Sequence, residues 1–164
     1  MIAAEWAEKI SDARATLIGI PYTTLDCQAF VEHCLKKFAN ISRNWRGSND
    51  MWRNAVHDKS DDFDNIEPGE WVFSLRNDGK QPGRYTDGVN AAHVGIYIGN
   101  GEVIHSTTGG VQMDKITNRK RWSHHAKANC LYYASEVYQQ TTENSCDNLY
   151  SDLVALVKKY GGNN

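Results

Sequence analysis

The chain has 164 residues, 40% of them apolar, enough to bury a sizeable core and short enough to expect a single domain spanning 1–164 with one active site. A formal net charge of -2 excludes attachment to nucleic acid by bulk charge, which rests on phosphate neutralisation by a clear basic excess. Cys27, Cys34, Cys130 and Cys146 form no Cys-x-x-Cys pair and no ordered Cys/His spacing, so neither a metal site nor a disulfide scaffold is expected.

Ile2, Ala3, Trp6, Ile10, Ala13 and Leu17 recur at intervals of three or four and predict an amphipathic helix to about Ile18, stopped by Gly19 and Pro21. Its charges, Glu5, Glu8, Lys9, Asp12 and Arg14, interrupt any stretch that resembles a secretory signal or a membrane span, so a soluble chain without an export address or membrane partner is expected. Asp26 to Phe38 predicts a second helix, opened by an Asp suited to N-capping and carrying Cys27, Phe30, Val31, Cys34 and Phe38 on one stripe. Ser48-Asn49-Asp50 reads as a further cap before a short helix through Ala55.

Beyond this point the period changes from helical to alternating. Glu70–Leu75, Ala92–Ile98, Glu102–Thr107, Gly110–Ile116 and Asn129–Ala134 are short, β-branched or aromatic runs and predict five strands. Asn100-Gly101 predicts a tight antiparallel hairpin between the second and third of them. Helices followed by strands give an α+β class, with N-terminal helices packed on a central antiparallel sheet. The long interval Arg76–Ala91 reads as a functional excursion from the sheet. Leu149, Leu153, Leu156 and Tyr160 predict a last helix closed by Gly161-Gly162, with 161–164 as a tail or the start of a linker.

Cys27 follows a capping residue at a helix start, where free N–H groups and the helix dipole favour thiolate, whereas Cys34, two turns deeper on the same face, reads as packing. A thiolate needs a base, and histidine serves best near neutral pH. Among six histidines, His93 opens a strand run and His105 lies on the next strand, twelve positions on; the intervening turn resets alternation, so parity alone leaves their facing open. His33 and His57 read as helical, and His124 and His125 as solvated or helix-end residues. The basic run Lys115, Arg119, Lys120, Arg121 and Lys127 suits an anionic polymer, although such runs are usually solvated loops.

Asp26-Cys27-Gln28-Ala29-Phe30-Val31 resembles Asp-Cys-Ser-Gly-Phe-Val, the signature of the NlpC (p-sixty) cysteine peptidase family. His93-Val94-Gly95-Ile96-Tyr97-Ile98-Gly99-Asn100-Gly101 through Ile104-His105 is similar to the family's histidine hairpin, and Pro68-Gly69-Glu70-Trp71-Val72-Phe73 to its Pro-Gly-Asp-Leu-Val-Phe lead into the first strand. The resemblance spans about Gly19 to Tyr133. It implies a papain-like fold and hydrolysis of peptidoglycan stem peptides between D-glutamate and the following diamino acid, with no cofactor and as a monomer. It also implies Cys27 as nucleophile, His93 as base, His105 as the polar residue orienting His93, and Tyr22 near the oxyanion site.

Asp26, Gln28, Arg84 and Tyr85 complete the expected substrate contacts, the last two from the 76–91 excursion. Gln28-Ala29 departs from Ser-Gly where the family shapes its pocket for the substrate's N-terminal side. The expected setting is the cell wall, reached by phage-type release as a lysin, by injection, or as a domain of a larger secreted protein. Two rivals share the Cys/His chemistry: a CHAP-type amidase cutting between muramic acid and L-alanine, and another thiol-dependent acyl hydrolase or transferase. A third reading is an inactive wall-binding module.

Overall fold

The computed structural model describes residues 1–136. The chain divides into two compact units, Met1–Leu131 and Tyr132–Asn164, and of the second only residues 132–136 are described. The expected last helix, the 161–164 tail and Cys146 lie outside the described residues.

Helix α1, Ala3–Leu17, buries Trp6, Ala7, Ile10 and Leu17 along the predicted stripe, and the Trp6 indole donates to the Cys34 carbonyl at 3.1 Å. Helix α2, Cys27–Cys34, buries Cys27, Phe30, Val31 and Cys34, then widens into a π-helical turn, Leu35–Ala39, ended by left-handed Asn40. Helix α3 is Ser48–Asn54. No described helix is long and apolar enough to cross a membrane.

Six strands follow: β1 Val56–Ser60, β2 Trp71–Arg76, β3 Asn90–Gly99, β4 Glu102–Thr107, β5 Gly110–Lys115 and β6 His124–Ala128. They form one antiparallel sheet in the order β1-β6-β2-β3-β4-β5. The main core lies between this sheet and the helices, with α1 and α2 both packed on β3. Val72, Val103 and Trp122 form a smaller cluster, covered by Phe63, Ile66, Tyr97 and Ile116. The α+β class is as expected.

Two strands differ from expectation. Asn129–Ala134 is a turn followed by the start of a helical segment, and the strand lies earlier, at His124–Ala128. His-His-Ala-Lys-Ala has little intrinsic strand preference; pairing with β2 on one side and β1 on the other imposes it. Strand β1 was not expected, because Val56 is its one apolar residue and an edge strand needs no alternation; His57 therefore stands on a strand, not a helix.

Candidate active site

The placement of His93 begins with a slip in the sheet. Along β2 and β3, Ser74 faces His93 but Leu75 faces Ala91, so Ala92 is an extra residue beside the histidine. A bulge of this kind re-aims the neighbouring side chain. Helix α3 fixes it: Ser48 Oγ donates to the Ala91 carbonyl at 2.6 Å, and the Asn49 amide accepts from Ala91 N–H at 3.0 Å. Ser48 and Asn49 were expected as a helix cap; Gly47 takes that position without a side-chain cap, and the two polar side chains hold the sheet instead.

The hairpin turn has left-handed Asn100 and Gly101, as a primed turn requires. Pairing of Tyr97 with Val103 and Ile96 with Ile104 sets the register, and alternation puts His93, Gly95 and Tyr97 on one face of β3. A Cβ on Gly95 would lie 3.1 Å from the His105 Cβ and 2.9 Å from the Trp122 ring, so only glycine lets the three rings meet. His93 Nε2 and His105 Nδ1 are 2.7 Å apart. Trp122 stacks on His93 with ring centroids 5.6 Å apart and meets His105 edge-on at 5.0 Å.

That bond constrains the tautomers. If His93 donates from Nε2, then His105 accepts at Nδ1, carries its own proton on Nε2, and leaves the His93 Nδ1 lone pair free to act as a base. The His105 Nε2 is buried without a partner among the described residues. Burial, then the cations Arg121 and Arg76, pull the His93 pKa down to about 4 against the opposing pull of Asp114. Burial, His93 and Arg121 bring His105 to about 3, again opposed by Asp114.

Cys27 opens α2, capped by Asp26, whose carboxylate accepts from Ala29 N–H at 2.8 Å. Burial pushes the Cys27 thiol up, Asp26 adds to this, and the backbone N–H groups of Val94, Gln28 and Cys27 itself oppose it. The net direction is opposite to that expected from the helix start, because the thiol is only 8% exposed and desolvation outweighs the dipole. The Val94 contact sets the sulfur beside the residue that follows His93. Tyr22 lies beside this sulfur, and its pKa is raised by burial, by Cys27 and by Asp26.

The sheet grips the segment carrying these groups at both ends. Gly19 N–H donates to Val111 at 2.8 Å and Val111 N–H to Ile20 at 2.9 Å, while Ser106, next to His105, donates to the Leu25 carbonyl. Left-handed Gly110 permits this approach: a Cβ there would lie 2.8 Å from the Ile20 oxygen.

A cleft of about 430 Å³ opens here, lined by Tyr22, Ser74, His93 and Thr107 and by the cations Arg76, Lys120 and Arg121. Arg84 and Tyr85 stand apart from that lining. Arg84 donates to the Arg46 carbonyl at 2.8 Å, Tyr85 donates to Asp50 at 3.2 Å, and the Arg53 guanidinium lies over the Tyr85 ring, so this loop folds onto α3. Gln28 donates to Glu32 at 2.8 Å and to the Trp45 carbonyl at 2.6 Å, bracing the loop after α2.

Asn49, Ser106, Trp122 and Arg76 escaped sequence reasoning, and only proximity in the fold marks them. His125 was misjudged as solvated: it is 5% exposed on β6, with Nδ1 on Glu70 and Nε2 on the Asp62 carbonyl at 2.6 Å. Cys34 is fully buried and its thiol is pushed well up, as a packing residue should be.

Comparison with known proteins places this arrangement. Over 116 residues the chain is 31% identical to the probable peptidoglycan endopeptidase LytE of Bacillus subtilis (strain 168), covering 66% of this chain and 29% of that protein. The chain thus spans under a third of that relative's length. An NlpC/P60 family protein from Bacillus cereus ATCC 10987 superposes with a TM-score of 0.54 at 22% identity, covering 74% of this chain and 39% of that one. The P60 domain of an M. avium subspecies paratuberculosis antigen gives a TM-score of 0.54 at 17% identity, covering 76% and 96%. The fold is therefore that of NlpC/P60 domains, and because the model of the NlpC/P60 family matches residues 15–129, the chain belongs to that family.

Proposed function

We propose that this domain is a cysteine peptidase of the bacterial cell wall that cuts peptidoglycan stem peptides at the D-glutamyl to diamino acid bond. The observation that carries the reading is the hydrogen-bonded His93–His105 pair, with the N–H of Val94, the residue after His93, reaching the Cys27 sulfur at the start of α2. The LytE relative supports the substrate class.

In this reading burial keeps thiol and imidazole neutral before substrate arrives. His93 Nδ1 takes the Cys27 proton as the sulfur attacks the carbonyl carbon, so charge develops only along the reaction path. N–H groups at the start of α2 and the Tyr22 hydroxyl stabilise the tetrahedral oxyanion. The C–N bond breaks as His93 passes its proton to the leaving amine. Water, deprotonated by His93, then splits the thioester and regenerates the Cys27 thiol. His105 holds the imidazole orientation throughout, as the third member of such triads does. Asp26 and Gln28 remain substrate-side candidates through the α2 start that they shape, whereas Arg84 and Tyr85, held against α3 and its lead-in and apart from the cleft lining, do not.

Digestion of purified peptidoglycan with mass-resolved products tests the reading. New amino termini on the diamino acid, abolished by thiol alkylation, are expected; new L-alanine termini would instead indicate an amidase, and no thiol-dependent product would end the proposal. The lysin role belongs to the same proposal, and lysis of intact cells by added protein is its measure.

A further inference from the structure

The basic run noted in the sequence is dispersed by the fold. Lys115 pairs with Glu102 at 3.1 Å, Arg119 lies over Phe63 and donates to the Asp61 carbonyl at 3.0 Å, and Lys127 pairs with Asp58 and Glu67. Arg121 meets Asp114 at 3.4 Å and turns toward the cleft; Lys120 lines the cleft as well. Arg76, at the end of β2, joins them from another strand. Arg76 and Lys120 are exposed, and no ion pair satisfies either among the described residues. Among the described residues no carboxylate lines this cleft, and its remaining polar lining, Tyr22, Ser74, Thr107, Thr108 and Asn118, is uncharged.

Three cations converging beside His93 from two separate chain segments, with only one of them answered by an acid, describe a wall built for an anion. We propose that Arg76 and Lys120, with Arg121 behind them, form a carboxylate-recognising wall that selects stem peptides bearing a free carboxylate next to the scissile bond. The inference rests on the proposed peptidase reading and adds to it the residues and the charge by which substrates are chosen. Two carboxylates present this chemistry, the α-carboxylate of the D-glutamyl residue and the side-chain carboxylate of a diaminopimelate. Arginine suits a bidentate grip on either, whereas lysine contributes a compact point charge. A carboxylate seated there also offsets Arg121 and Arg76, which add to burial in lowering the His93 pKa, so recognition and proton uptake by the base favour one another.

The test uses three synthetic peptides of L-alanyl-γ-D-glutamyl-diaminopimelate, all capped as the amide at the diaminopimelate main-chain carboxyl: one otherwise free, one also amidated at the D-glutamyl α-carboxylate, one also amidated at the diaminopimelate side-chain carboxylate. Wild type should favour the free peptide over one amide by about tenfold in kcat/KM, mostly through KM, and the amide that suffers names the carboxylate recognised. In Arg76→Gln/Lys120→Gln, checked for folding by its thermal midpoint, that ratio should fall to within about threefold, and Arg76→Lys should restore part of it. Equal cleavage of all three peptides by wild type, or a ratio that survives in the double variant, would overturn the wall. Calorimetric binding of the same peptides to Cys27→Ala separates recognition from turnover. If wild type cleaves none of them while Cys27→Ala still discriminates, the peptidase reading falls and the wall stands; equal binding by Cys27→Ala removes the wall.

Discussion

Two buried histidine arrangements sit on one sheet and are driven in opposite directions. On β3 and β4, His93 faces His105, another base, with Arg76 and Arg121 nearby, and burial is the largest influence on both rings. On β6, His125 faces Glu70 from the end of the loop before β2, and although burial again pulls its pKa down, the hydrogen bonds to Glu70 and the Asp62 carbonyl prevail and raise it. Burial opposes protonation at both places, yet it prevails at His93 and His105 and is outweighed at His125. The partner decides: a second imidazole cannot stabilise a cation, and a carboxylate can.

The sharpest break in the comparison is to remove the base. His93→Gln deletes the titrating group and should lower kcat on purified stem peptides by about a thousandfold or more, within the range general acid–base catalysis supplies. His105→Gln keeps a polar group able to hold the imidazole and should retain measurable turnover, with His105→Ala between the two. Near-normal activity of His93→Gln, at unchanged thermal midpoint, would show that the neutral pair is only structural.

On the other side of the comparison the readout is stability. Glu70 is 2% exposed and also accepts from Glu67 N–H at 3.1 Å, so Glu70→Ala strands His125 and frees the loop before β2. Urea unfolding should show a loss of about 3–5 kcal/mol, the usual consequence of removing one partner of a buried pair. A loss below about 1 kcal/mol would place the pair with exposed ion pairs in importance.

Titration should then separate the arrangements by sign. His93 and His105 lie below the ordinary 6.5 when folded, so their contribution is complete above that pH and is lost as pH falls toward about 4 and then 3, while the unfolded chain takes up protons. His125 lies above 6.5 when folded, so its contribution is complete below 6.5 and is lost as pH rises through its folded value. Thermal midpoints against pH should therefore fall on both flanks, with the alkaline flank flattened in His125→Gln. An unchanged alkaline flank in that variant would contradict the raised His125 pKa.

How much of this was legible in the sequence follows from the range of each interaction. The α1 and α2 stripes, the Asp26 cap and the Asn100-Gly101 hairpin rest on neighbours close in sequence, and those were readable, whereas the facing of His93 and His105 was left open by parity and is set by the strand register. The bulge at Ala92 depends on the hydrogen bond from Ala91 to Asn49, 42 residues away from it, and the grip on Leu25 depends on Ser106, 81 residues away, so no local pattern announces either. Strand β6 and the His125–Glu70 pair failed for the same reason: a weak strand former was placed by two partners remote in sequence. The Cys27 dipole argument was locally sound, but burial, a property of the whole fold, reversed its direction.

The finest distinction concerns Trp122, whose ring covers the His93–His105 pair while its chain neighbours lead into β6 and the His125–Glu70 pair. The ring is fully buried, and its Nε1 has no partner among the described residues, so its value to the site lies in shape and not in hydrogen bonding. Trp122→Phe keeps an aromatic face against His93 and removes a buried donor that gained nothing, offsetting part of the packing lost with the smaller ring. Stability should change by only about 1 kcal/mol, and kcat should stay within about threefold. Trp122→Leu keeps apolar volume but gives up the flat stack, so its kcat should fall further than that of Trp122→Phe at comparable stability. If the two variants are equally active, the ring acts as filler and the orientation of His93 rests on His105 and the Ala92 bulge alone.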